Sequence, residues 1–313
     1  MSMNLLIGGG LSLASAVLWA ISPLCYTSAS RRIGSLNVNL LRMAMASLVL
    51  LLVLPLWWLL TGQPEINLEI NQLIWLTFSG VLGMVVGDYF IFEAYRSLGP
   101  RLALQVNTVG PAIAVGMAWY WLDEVIPPQA LIGCIVVLAA IAYILYTESR
   151  PAVPGQPVET EAHPGKLTTK GVLFSVLAAV AGAAGAVAMR QSFRVGPEVS
   201  TLLATVLRVT CATAVLWAYC GMMGKTASFT HLKDDYVRSR MVWGTIIGPV
   251  ASMFCYVTAF KYMEAGKVST ITALSPLFMI PIMAVRYGTP VRARVVFGTI
   301  MALAGVAMIC LKP

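Results

Sequence analysis

Ten apolar runs, separated mostly by short polar gaps, follow one another along the chain at about 4–27, 36–60, 72–95, 101–122, 128–147, 167–190, 199–222, 241–262, 268–286 and 291–311. A helix needs about 20 mostly apolar residues to cross the hydrocarbon core of a bilayer. Lipid offers no partner to an open backbone group, so such runs cross as helices. The pattern therefore predicts an all-α integral membrane protein with ten transmembrane helices. The first run holds no Lys or Arg before Gly10 and stays apolar past Trp19, so it is expected to be a span and not a cleavable leader.

Two gaps are long. Residues 148–166 carry four prolines and mixed charge and read as a flexible linker; residues 225–240 form the other long loop. The linker divides the chain into halves at 1–147 and 167–313, and the halves resemble each other. An offset of 165 residues lays Gly83 on Gly248, Ala94 on Ala259, Pro111 on Pro276 and Gly133 on Gly298, and an offset of 166 lays Leu41-Arg42 on Leu207-Arg208. Each half has five runs. Five is odd, so the second half enters the membrane from the opposite face, and the expected architecture is two inverted five-helix repeats with a site near midplane.

Composition sharpens this. Hydrophobic residues make up 58% and charged residues only 11%, against roughly a quarter charged in soluble domains. The net charge of +8 does not suggest nucleic acid, because the basic residues stand singly or in pairs at the ends of apolar runs. The six cysteines lie inside apolar runs without a CxxC pair, and His163 and His231 lie in loops, so neither a metal nor another cofactor is expected. Enzyme readings fail too. Val85-Val86-Gly87-Asp88 lacks the first glycine of a GxGD protease motif, and Thr77-Phe78-Ser79-Gly80 lacks the first glycine of GxSG.

Several residues carry the resemblance to the drug/metabolite transporter superfamily, EamA type. They are Leu18 to Pro23 in the first run, Leu41-Arg42 and Leu207-Arg208, and the block from Gly80 to Leu145, which has a glycine-rich third helix, a central Pro111, the acidic Glu124 and Gly133. The block recurs from Gly244 to Leu311, with Gly288-Thr289 where Asp123-Glu124 stand. The resemblance implies a multi-pass transporter of a small metabolite or drug-like solute, most simply an exporter of the inner (cytoplasmic) membrane, working by alternating access as a monomer or homodimer. A lipid or lipid-linked headgroup flippase of the same fold is the alternative.

The candidate transport residues are few. Arg42 and Arg208 stand inside spans 2 and 7, either snorkelling to the interface or acting as a counter-ion to Asp88 or an anchor for an anionic group. Asp88 and Glu93 in span 3 are the candidates for proton coupling, with Glu93 also placed to pair with Arg96 or Arg101. Gln105 and Asn107 precede Pro111, and Thr270 and Thr272 precede Pro276; such matching polar-then-proline segments are expected to line the substrate site, with the prolines as hinges, unless they serve as packing glue. Trp19 is expected in the same cavity, where an aromatic ring could stack on the solute.

Loops after odd-numbered spans hold 14 basic residues, and the even loops with the C-terminal tail hold 5. Positive charge is retained in the cytoplasm, so both termini are predicted to face outward, the reverse of how the exporters of the resembled family are usually drawn. A C-terminal reporter that is active only in the cytoplasm should stay dark; bright signal overturns this orientation.

Overall fold

Gly34 alone separates the first two helices. Its φ of +80° is open to glycine without strain, so the chain reverses there without a loop. In this computed structural model the described residues are 3–62, 68–98, 103, 106–107, 109–125, 127–148, 168–275, 277–278, 282 and 293–310. Among them the regular structure is helical: α1 (Met3–Ile33), α2 (Ser35–Thr61), α3 (Ile70–Gly80), α4 (Gly87–Leu98), α5 (Gly110–Leu122), α6 (Pro128–Glu148), α7 (Thr169–Ser192), α8 (Thr201–Met222), α9 (Asp235–Thr245), α10 (Met253–Tyr262), α11 (Ala265–Thr272) and α12 (Ala293–Cys310). Among the described residues six stretches are long and apolar enough to cross a membrane, and Pro128–Ala140 is a shorter apolar helix.

The helix starts follow local chemistry. Ser200 Oγ accepts from the Leu203 amide at 3.2 Å, and Asp234 caps α9 through the Tyr236 amide at 2.9 Å. Glu69 and Gln72 close a capping box at the head of α3. Arg32 donates to Asp234 at 2.8 Å, and that hydrogen bond holds the carboxyl below the usual range.

Two rods are interrupted alike. π-helical turns occupy Val81–Val86 between α3 and α4 and Ile246–Ser252 between α9 and α10. Their first residues differ by the same 165 positions that align the two halves. Each π segment presses a glycine onto a helix of the other half. A Cβ on Gly83 would lie 3.1 Å from Arg208 Nη2, and one on Gly248 would run into Ser22 of α1. On α7, Gly185 lies in the same seam: a Cβ there would stand 3.1 Å from both Gly83 N and Ser79 O, and Ser79 Oγ donates to Gly185 O at 2.6 Å. Small residues let helices approach this closely in lipid, where no hydrophobic force holds them together.

The packing partners interchange when the halves are exchanged. α1 packs on α9 and α10, as α7 packs on α3 and α4; α1 also meets α11, as α7 meets α5; α2 meets α8, and α6 meets α12. Contacts run antiparallel: Trp217 Nε1 donates to Leu40 O at 3.2 Å while Ser47 bonds Thr213 at 2.7 Å, so α2 ascends as α8 descends. A Cβ on Gly305 would stand 2.9 Å from Gly133 O, so α6 and α12 are in backbone contact.

Contrary to expectation, Pro111 does not interrupt a running helix. The chain turns at Val109 and α5 begins at Gly110, leaving Pro111 in its first turn, where the missing N–H costs nothing. Pro276, its counterpart, lies outside the described residues, as do Gly288 and Thr289.

Close approach at the π turn gives the expected outcome of a glycine pair. Gly80→Ala would drive its methyl into the Arg208 carbonyl oxygen, and the unfolding midpoint in detergent should fall by the equivalent of about 1–3 kcal/mol of overpacking. Gly182→Ala meets open space and should leave the midpoint unchanged or raised. Equal behaviour of the two variants would remove the close contact.

Candidate functional site

Arg42 and Asp88 meet in the membrane-spanning part of the bundle. Arg42 lies seven residues into α2, about 10 Å along its axis, and Asp88 follows the π turn as the second residue of α4. Arg42 Nη2 donates to Asp88 Oδ2, and Arg42 Nε donates to Asn39 Oδ1 at 2.8 Å. Side-chain exposures of 14% and 22% place the pair inside the protein but not sealed from it. Of the roles open to Arg42, the counter-ion to Asp88 is the one the structure adopts. The Tyr26 ring of α1 stacks 5.7 Å from the guanidinium carbon, and its hydroxyl donates to Thr245 Oγ1 of α9 at 3.4 Å. Four helices from both halves thus converge on one ion pair.

The remaining expected site residues are dispersed. Trp19 is exposed on α1. Asn107 is half-buried in a short helical stretch ahead of Val109; Gln105 lies outside the described residues. Thr270 is fully buried and donates to Gly266 O at 2.8 Å and toward Cys134 Sγ of α6 at 3.5 Å. Thr272 donates to Val268 O at 2.9 Å. Both threonine hydroxyls are spent on their own helix, as hydroxyl side chains in helices commonly are. Glu93 is half-buried one and a half turns beyond Asp88 in α4. No contact among the described residues draws Trp19, Asn107, Thr270 or Thr272 to the Arg42–Asp88 pair.

A second polar cluster closes the end of the bundle that carries the N-terminus of α1. Buried Glu124, just past α5, accepts from Arg190 Nε of α7 at 2.8 Å and from the Ala265 amide at the head of α11 at 3.1 Å. Arg190 also donates to Phe260 O of α10 at 2.6 Å, and Arg194 donates to Leu122 O. Gln72 Nε2 donates to Pro197 O at 2.7 Å. Lys261 pairs with exposed Glu198 and holds its carboxyl below the usual range through that hydrogen bond. Lys267, read from the sequence as a loop charge, is instead in α11, 4% exposed and 3.0 Å from Glu264.

In the sequence Glu124 stands out only as a family-like acidic residue, and nothing in the residue order points to its partners. Asn39, Thr245 and Arg190 were missed because each gains meaning only from a residue that packing, not spacing, brings to it.

The sequence matches the EamA-like transporter family twice, over residues 6–146 and 169–311. The class is a membrane transporter built from two family repeats. This chain belongs to the EamA-like transporter family, within the drug/metabolite transporter group. No curated protein sequence matches it. Among the 29 solved chains that match, one described only as the crystal structure of a protein is 18% identical, with a TM-score of 0.71 over 96% of both chains. That likeness speaks to the fold.

Charge pairing at Arg42 and Asp88 is open to measurement. Removing one partner leaves the other charged and unpaired, so R42Q and D88N should each destabilise the protein, while R42Q/D88N together should recover part of the loss. The expected coupling is about 0.5–3 kcal/mol for residues in direct contact, read from denaturant midpoints in detergent. Simple additivity would show that the ion pair contributes nothing.

Proposed function

We propose that this protein is a ten-helix secondary transporter that moves a small metabolite or drug-like solute outward across the inner (cytoplasmic) membrane by alternating access. Its working units are inverted five-helix halves, 1–147 and 167–313, joined by the 148–166 linker. The observation that carries this reading is the antiparallel packing of equivalent helices, α2 on α8, around a charge pair to which both halves contribute neighbours. Inversion of similar units puts two equivalent pathways on opposite faces, and rocking of one half exposes the centre to each in turn.

The substrate site in this reading lies beside Arg42 and Asp88, with Trp19, Gln105, Asn107, Thr270 and Thr272 reached as the halves move. The Glu124–Arg190 cluster ties α5 and α7 to α10 and α11 at one end. These polar links close that end, and opening it requires their exchange for water. Asp88 is the coupling group: it gives up Arg42 when protonated and regains it on release. Alternating access then follows from switching one ion pair that joins two helices of the first half.

Sealed vesicles containing the purified protein test this directly. Labelled solute should accumulate without lipid scrambling, and the uptake should depend on a pH gradient. In D88N vesicles uptake should persist and lose its pH dependence. Scrambling of labelled lipid without solute uptake would replace the transporter by a flippase, and an unchanged pH profile in D88N would reduce Asp88 to a structural partner.

A further inference from the structure

Arg208 stands where Arg42 stands in the first half, yet its surroundings differ. Both arginines are the eighth residue of their helices, counted from Ser35 and Thr201. The 165-residue offset of the two halves aligns Asp88 with Met253, which is 3% exposed and carries no charge. Arg208 is itself 3% exposed. Its Nε and Nη1 are buried without a hydrogen-bond partner. The guanidinium lies over the Tyr256 ring of α10, 5.4 Å from the centroid. Ser269 Oγ of α11, next to the Tyr256 hydroxyl, is also buried without a hydrogen-bond partner of good geometry.

Space has been left for this side chain. Gly80 sits against the Arg208 backbone, and a Cβ on Gly83 would stand 3.1 Å from Nη2. The charge therefore rests between the π turn of one half and α10 of the other. Arginine keeps its proton in any protein environment and offers five donors in a planar fork. Stacking on an aromatic face satisfies the flat side of that fork but none of its N–H groups. Arg42 and Asp88 cancel each other, so the charge on Arg208 is left for something else to balance.

We infer that Arg208 is the anchor for an oxyanion group, a carboxylate or phosphate, on the transported solute. Tyr256 holds the guanidinium plane, and Ser269 is placed by the tyrosine hydroxyl to supply a further donor. The inference rests on the transporter reading and narrows its substrate to anionic solutes. A bidentate guanidinium–oxyanion contact is the strongest hydrogen-bonded pair available to such a site.

The test uses matched solutes on the purified full chain: benzoate against benzamide, hexanoate against hexanamide, and glycerol 3-phosphate against glycerol. Phosphatidic acid against diacylglycerol in the micelle separates a lipid phosphate from a soluble one. Unfolding midpoints are read for the parent, R208K and R208M. At least one anionic member should raise the parent's midpoint while its neutral partner does not, because a ligand that binds only the folded state stabilises it. R208M should weaken the apparent affinity at least ~10-fold, and R208K less. Without ligand, R208M should unfold at or above the parent's temperature, since an unpaired buried charge has been removed. A neutral partner that binds as well as its acid, an acid response that survives in R208M, or a panel without any response overturns the anchor. So does a ligand-free R208M that melts several degrees lower and is rescued by R208K, which would mark a structural cation. Uptake in vesicles is read separately. A solute carried equally well by R208M keeps the transporter and removes the anchor, whereas acids that bind through Arg208 but are never carried keep the site and remove the transporter.

Discussion

The hydrocarbon core supplies no hydrogen-bond partner and no counter-ion, and the organisation of this protein follows from that. Every polar group in the bundle must be met by another helix, by its own helix, or by what the protein binds. Serines and threonines illustrate the first two solutions. Ser15 meets Ser252 at 3.1 Å, Ser22 donates to Gly244 O at 3.1 Å, and Thr205 donates back to Thr201 O at 2.7 Å. Such bonds reach across only when backbones come close, and the glycines at 83, 185 and 248 allow that.

The two intramembrane arginines then read as two answers to one problem. Arg42 is met by Asp88 and Asn39, with Tyr26 against its face. Arg208 is met by the Tyr256 ring, and its Nε and Nη1 stay open. The asymmetry is as informative as the symmetry, because a buried charge without a partner costs stability and persists where function uses it.

Closure at one end has a different character. Glu124 joins Arg190 to the head of α11, and Arg190 reaches on to α10, so helices of both halves are fastened by one ion pair and two side-chain to backbone bonds. These bonds lie at helix ends, where the last carbonyls and first amides lack partners within their own helix.

The long apolar helices and the two-fold internal likeness were legible in the residue order, since both are carried by local hydrophobicity and by spacing; the expected 148–166 linker lies outside the described residues beyond Glu148. Arg42 and Asp88 were recognisable as polar groups in apolar surroundings, which lipid would not tolerate unmet. Which group meets which was not legible. A π turn inserts a residue into the 3.6-residue period and rotates the rest of the helix by roughly 100°. The face of Asp88 therefore cannot be extrapolated from Ser79 or Gly80. Pro111 looked like a kink in a continuous run, and only the turn at Val109 makes it a helix start. Which polar groups stay open was equally illegible: packing turned the Thr270 hydroxyl onto Gly266 O of its own helix and left Nε and Nη1 of Arg208 without a partner. The sequence alone determined what had to be buried in the bilayer; the tertiary structure decided what each buried charge would find there.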